Sequence, residues 1–296
     1  MDNPHKSSNA RVETSAGGSA KKFPVYGIIG FSIIVLAEIG LFSGVEWVGQ
    51  WFTPIVWTGY ILFVDGIIRR RKGNSLLSTH PREFAILAVI SFASWEIFEG
   101  YNLLVKNWRY INMIENTPAR FFGYFWAYAT ISPCMFLTYE LLDDILPGKN
   151  RVHSPRLGNS LFYPFVVFGF VCMIVPLIWP STYMAPIIWI GWAFFLDPIN
   201  QRLGERSFIS ELFSGLPRST AVFFLAGVIC GLLWEFWNYW AISKWQYDVP
   251  YLGHIKLFEM PVLGFLGFLP FTIESYAIYV FIRRLLPIKR RVRYLG

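Results

Sequence analysis

Eight apolar runs constrain this chain more than any other feature. They cover roughly 24–45, 51–68, 83–105, 120–142, 158–179, 184–200, 218–243 and 260–283, and such lengths match the hydrocarbon core of a bilayer. The 296 residues are 54% hydrophobic and 19% aromatic but only 15% charged, well away from the usage of a soluble domain. The expected fold class is all-α: a polytopic transmembrane helical bundle of about eight spans.

The basic residues orient the bundle. If the N-terminus is cytoplasmic, the inside segments hold 21 of the 26 Lys and Arg, and the outside segments hold Lys106, Arg109, Arg120, Lys244 and Lys256. This is a positive-inside distribution for a cytoplasmic (inner) membrane protein with both termini in the cytoplasm. The net charge of +7 is therefore read as a topology and anionic-lipid signal. Because the basic residues are spread over separate juxtamembrane loops, membrane lipids are the expected partners and nucleic acid is not. Residues 1–22 read as a disordered cytoplasmic tail, with no cleavable signal peptide ahead of the first span, and 287–296 as a basic cytoplasmic tail.

The chain also repeats itself. Pro54, Trp57, Gly59, Asp65, Arg70, Ser75 and Ser78 return 132 residues later as Pro186, Trp189, Gly191, Asp197, Arg202, Ser207 and Ser210. Further on, Glu99, Asn102, Trp108 and Tyr110 return as Glu235, Asn238, Trp245 and Tyr247, while Pro133 and Tyr139 return as Pro270 and Tyr276. The expectation is two four-span halves, 23–147 with a repeat unit over 54–140 and 148–286 with a unit over 186–280. Four spans per half make the copies parallel, so a shared site would lie at their interface.

Ionisable residues within spans are costly and point to function. Glu96, Glu99 and Asn102 recur at three-residue spacing on the third span, and Glu235 and Asn238 do so on the seventh. The carboxylates of the two helices are expected either to meet across the interface, or to bond their own Asn and a nearby Trp indole as packing elements. Glu96 aligns with Leu232 and Glu274 with Leu137, so these two break the repeat and are the preferred proton donors. Glu99 and Glu235 are the expected acceptors. Asn102, Asn238, Trp95, Trp234 and Trp237 are expected to bind substrate, the indole faces stabilising a developing carbocation. Glu38 is a further acid of the first span.

Other groups read as structural. Asp65 and Asp197 are expected to pair with the basic loops that follow them, through Arg69, Arg70 and Arg202. Glu140, Asp143 and Asp144 read as a solvated helix end, and the outer-loop Trp and Tyr as an interfacial aromatic belt or as a lining for the ligand. His5, His80, His153 and His254 lie in the tail or loops, and Cys134, Cys172 and Cys230 lie in spans, so no metal site, haem or disulfide framework is expected. The nucleotide and nucleophile-elbow glycine motifs and an Asp-rich diphosphate motif are missing from the chain. The expected chemistry uses no cofactor.

Leu196-Asp197, Trp234-Glu235, Trp245 with Tyr247, Tyr251 and Pro261 resemble a three-helix unit of the membrane lycopene cyclases. The resemblance is closest over 186–280 and extends to 54–140. It implies tandem three-helix units and an apolar isoprenoid-like ligand, protonated and cyclised, as in carotenoid biosynthesis. The chain departs from that family where a Pro-x-Glu-Glu signature would stand, reading Pro261-Val262-Leu263-Gly264 and Pro118-Ala119-Arg120-Phe121. The resemblance thus bears on architecture more than on cyclisation itself. A membrane scaffold, or a carrier of lipid or of a proton-coupled solute, is the alternative reading.

Overall fold

The computed structural model describes residues 22–148, 156–215, 217–250 and 252–287. The expected tails lie outside these residues apart from Lys22 and Pro287, as does Tyr251. In chain order the helices are α1 (Val25–Phe42), α2 (Glu46–Gln50), α3 (Phe52–Lys72), α4 (Leu76–Thr79), α5 (Pro81–Val105) and α6 (Thr117–Ile145). They continue with α7 (Asn159–Ile178), α8 (Ala185–Arg202), α9 (Phe208–Phe213), α10 (Arg218–Trp240) and α11 (Phe268–Leu285). Four short strands, β1 (Trp108–Ile111), β2 (Lys244–Tyr247), β3 (Lys256–Leu257) and β4 (Met260–Pro261), form two antiparallel ladders, β1 with β2 and β3 with β4. The all-α bundle is as expected.

Among the described residues seven helices are long and apolar enough to cross a membrane, so this is a multi-pass integral membrane protein. The run expected to be the fourth span is α6, 29 residues long. It is not among the seven, because Tyr, Trp, Thr, Ser and Pro133 interrupt its apolar residues and lower its mean hydropathy. Those side chains are largely spent inside the bundle, where residues 130–139 of α6 form a buried block.

Helices α1 and α7 are the peripheral members, with most of their apolar side chains facing outward. Each is held by a glycine crossing, since helices in lipid associate through close backbone packing rather than hydrophobic exclusion. A Cβ at Gly30 would stand 2.6 Å from the Gly59 carbonyl oxygen, and one at Gly169 would stand 2.8 Å from the Gly191 carbonyl oxygen. The remaining long helices form the centre. Helix α6 packs on α3 and α5 and crosses to α10, while α11 packs on α8 and α10 and crosses to α5.

Asp65 and Asp197 are both fully buried and do not pair with the basic loops. Asp65 accepts hydrogen bonds from Ser75 Oγ at 2.7 Å, Tyr26 Oη at 2.8 Å and the Leu77 amide at 2.8 Å. Asp197 accepts from Ser207 Oγ and from the amides of Phe208 and Ile209, at 2.9 and 3.0 Å. Each aspartate therefore satisfies orphan N–H groups at the start of the short helix after its own, α4 or α9. This is why Ser75 and Ser207 recur with the aspartates. Arg69 instead donates to the Gly73 carbonyl, closing α3 where Gly73 turns left-handed at φ 83°, and Arg202 donates to Asn159.

The acidic end of α6 is structural, but ion-paired rather than simply solvated: Glu140, Asp143 and Asp144 pair with Lys72, Arg218 and Arg71. A deeper ion pair ties α5 to α11. Glu83 accepts from Arg283 Nε at 2.8 Å and from Tyr279 Oη at 2.5 Å, with Glu83 and Arg283 almost wholly buried.

Candidate functional site

At the end of the bundle that carries the β1–β2 ladder, the first three-helix set (α3, α5, α6) and the second (α8, α10, α11) diverge around a cavity of about 530 Å³. That volume lies within the range of small-molecule sites, about 300–1,000 Å³. Its wall is aromatic: Trp57, Trp95, Trp108, Trp189, Trp234 and Trp245 all line it. The Trp95 and Trp234 rings are near-parallel with centroids 6.0 Å apart, and Trp189 lies 6.0 Å from Trp95. Phe271 stands edge-on to both Trp95 and Trp189.

Polar residues of α5 and α10 hold this wall in place. Asn102 Oδ1 accepts from the amides of Asn107 and Trp108 at 2.9 and 3.1 Å, and its Nδ2 donates to the Trp108 carbonyl at 2.8 Å. Asn238 does the same for β2, accepting from the Trp245 amide at 3.0 Å and donating to its carbonyl at 2.9 Å. The two strands so anchored pair with each other, Trp108 opposite Tyr247 and Tyr110 opposite Trp245. Asn102 and Asn238 do not line the cavity, contrary to the expectation that they bind substrate: their amides are spent on the strand backbone.

The carboxylates of Glu99 and Glu235 hold the side chains of the same strands. Glu99 Oε1 accepts from Trp95 Nε1 at 3.0 Å, Trp108 Nε1 at 3.1 Å, Tyr110 Oη at 2.5 Å and Tyr128 Oη at 3.3 Å. Glu235 Oε1 accepts from Tyr247 Oη at 2.9 Å and Trp245 Nε1 at 3.4 Å. Burial and the adjacent Glu99 push the Tyr110 phenol well above its ordinary value, and burial with Glu235 does the same for Tyr247. Both phenols therefore stay protonated and remain donors to their carboxylates.

Here the two glutamates part. Glu99 stands behind the wall, reached through the residues that bond it. Glu235 lies on the cavity wall itself, and its Oε2 is buried without a hydrogen-bond partner. A buried acceptor left open in this way is uncommon and calls for an explanation. No family model, no curated protein and no solved structure matches this chain. The chemistry of the site has to be read from these residues.

The other expected site residues fall elsewhere. Glu96 is exposed on the outer surface of α5 and does not reach the cavity. Glu274 is fully buried on α11 with both carboxylate oxygens unpartnered, but it does not line the cavity either, although Phe271 one turn earlier does. Trp95 and Trp234 are lining residues as expected. Trp237 stands behind them, its indole donating to Glu38 Oε1 at 2.8 Å and its ring edge-on to Trp57 at 4.9 Å.

Trp57, Trp189 and Tyr128 were not expected as binding groups, whereas Trp108/Tyr110 and Trp245/Tyr247 were expected either as an interfacial belt or as a lining for the ligand, and all of them stand on the cavity wall. Their signal was the exact recurrence of Trp and Tyr in two loops, which an interfacial belt explains less well than a paired wall. Asn238→Ala tests the docking role. The Trp245 amide of the variant is expected to exchange hydrogen about tenfold faster, the equivalent of one lost hydrogen bond of about 1.4 kcal/mol, with amides in the middle of α10 unchanged.

Proposed function

We propose that this membrane protein is an enzyme performing acid–base chemistry, of cyclase, isomerase or hydratase type, on a carotenoid or isoprenoid lipid held in the aromatic cavity. The observation that carries the reading is Glu235, a carboxyl on a largely aromatic wall, with an oxygen left open. Protonated, that carboxyl gives its proton to one carbon of a double bond, leaving a carbocation and a carboxylate. Loss of a proton from a neighbouring carbon back to the carboxylate forms the new double bond with no net change of electrons, so neither metal nor redox cofactor is called on. The faces of Trp95, Trp189 and Trp234 stabilise the cation between the two steps.

In this reading the chain is two parallel copies of one unit in the cytoplasmic membrane, with both termini inside. It is supported by the matched Asp–Ser caps, the matched Asn–Trp strand anchors and the reciprocal crossings α6–α10 and α11–α5. The likeness of 186–280 to the membrane lycopene cyclases points to the same ligand class.

A second reading, binding or carriage without turnover, is favoured by the four donors gathered on Glu99 Oε1, which make that acid a purely architectural group. Lipid extracts of cells with and without the gene, compared by mass spectrometry, separate the two. The enzyme reading expects a lipid pair differing by isomerisation or by the elements of water, with the product lost on deletion. An unchanged lipid profile, together with a native lipid co-purifying with the protein, would favour carriage.

A further inference from the structure

Arg120 lines the cavity from the first turns of α6. At this end of the bundle Arg109 pairs with Asp248 at 2.5 Å and Lys244 with Glu259 at 2.7 Å. Arg120 is not so paired. Its guanidinium donates only to the Ile114 carbonyl at 3.3 Å and to Thr117 Oγ1 at 3.5 Å, and no carboxylate lies within ion-pair distance among the described residues. Its position adds to the imbalance, because the amino end of a helix carries a partial positive charge that disfavours a cation and favours an anion.

Asn107, just ahead of β1, is a second open group on the same cavity. The residue is only 8% exposed. Its backbone is bonded to Asn102 and to the Asp248 amide, yet its side-chain amide has no hydrogen-bond partner among the described residues. A cation without a counter-charge and a side-chain amide left open to the cavity are both groups that a bound ligand would satisfy. A guanidinium is the side chain best shaped to take two oxygens of a phosphate or a carboxylate.

We propose that the ligand of this cavity is an amphipathic isoprenoid whose hydrocarbon lies on the tryptophan wall and whose phosphate or carboxylate head is held by Arg120 and Asn107. This rests on the reading of the cavity as an isoprenoid-lipid site and narrows it from a bare hydrocarbon to an anionic lipid. Asn107 donates through Nδ2 to the head, and Arg120 supplies the charge.

The test is native mass spectrometry of the full chain in detergent, titrated with farnesol, farnesyl phosphate and farnesoic acid. At least one of the two anions is expected to bind about tenfold or more tightly than farnesol. Arg120→Gln is expected to remove that preference while leaving farnesol binding unchanged, Arg120→Lys to keep most of it, and Asn107→Asp to reverse it. Preference for phosphate over carboxylate, or the opposite, identifies the head. Equal binding of all three by the wild-type chain overturns the anionic ligand and leaves the cavity reading standing. A preference that survives Arg120→Gln overturns the role given to Arg120, and no binding of any of the three overturns both readings.

Discussion

Glu83→Ala is expected to lower the unfolding free energy by about 3–5 kcal/mol, the largest stability loss of any single substitution considered for this bundle. Glu83 and Arg283 are 5% and 2% exposed as side chains, and the carboxylate takes hydrogen bonds from both the guanidinium and Tyr279. Removing the carboxylate leaves the Arg283 cation buried between α5 and α11 without its Glu83 partner. The pair itself is worth less than its loss suggests, since desolvating both ions offsets much of their attraction. The double variant Glu83→Leu with Arg283→Met is therefore expected to recover most of the stability. Unfolding of detergent-solubilised protein, followed by circular dichroism, measures both. A double variant no more stable than Glu83→Ala would show that the pair holds α5 to α11 through its specific geometry.

Glu235→Gln is expected to reduce turnover of the cavity's substrate by about 10²–10⁴-fold, the usual contribution of a positioned acid or base, with little change in stability. The amide oxygen of glutamine still accepts from Tyr247 and Trp245, so the β2 anchor is kept. What disappears is the proton on the open oxygen. The control is Glu96→Gln: because Glu96 faces outward from α5, its removal is expected to leave turnover unchanged. Product formation measured on extracted lipid decides between them. Full activity in Glu235→Gln would exclude this carboxyl as the proton-transfer group and return weight to the carriage reading.

The contrast between Glu235 and Glu96 shows how far residue spacing could be followed. Glu96, Glu99 and Asn102 recur at three-residue steps along α5. At 3.6 residues per turn, each such step falls about 60° short of a full turn. Over two steps the stripe winds far enough that Asn102 docks β1, Glu99 sits behind the cavity wall, and Glu96 looks outward. The repeat-breaking acids Glu96 and Glu274 lie off the cavity for a related reason. Alignment of two copies compares positions along a helix, whereas access to a cavity depends on which side of the helix the neighbours leave open.

Asp65 and Asp197 teach a similar lesson. Their nearness to Arg69, Arg70 and Arg202 suggested ion pairs across a helix turn, but both carboxylates point inward and are sealed from solvent. The partners the two share by position, Ser75 and Leu77 or Ser207, Phe208 and Ile209, lie ten to twelve residues on. The recurrence of Ser75 as Ser207 was the visible trace of that cap; the bend that brings serine to aspartate was not.

What the sequence by itself determined is the class of structure. Long apolar runs with few charges have one stable form in lipid, a helix that satisfies its own backbone, and a bundle of such helices follows from run length and spacing. Recurring Trp, Tyr, Asn and Glu marked which positions matter, because their chemistry repeats in one dimension. Only the tertiary structure decided what each does. Glu235 becomes a cavity acid, Glu99 a scaffold, and Arg120 an unmatched cation through contacts that α3, α6, α8 and the paired strands bring from distant parts of the chain. Burial and partnering belong to those three-dimensional neighbours, and no local pattern of residues carries them.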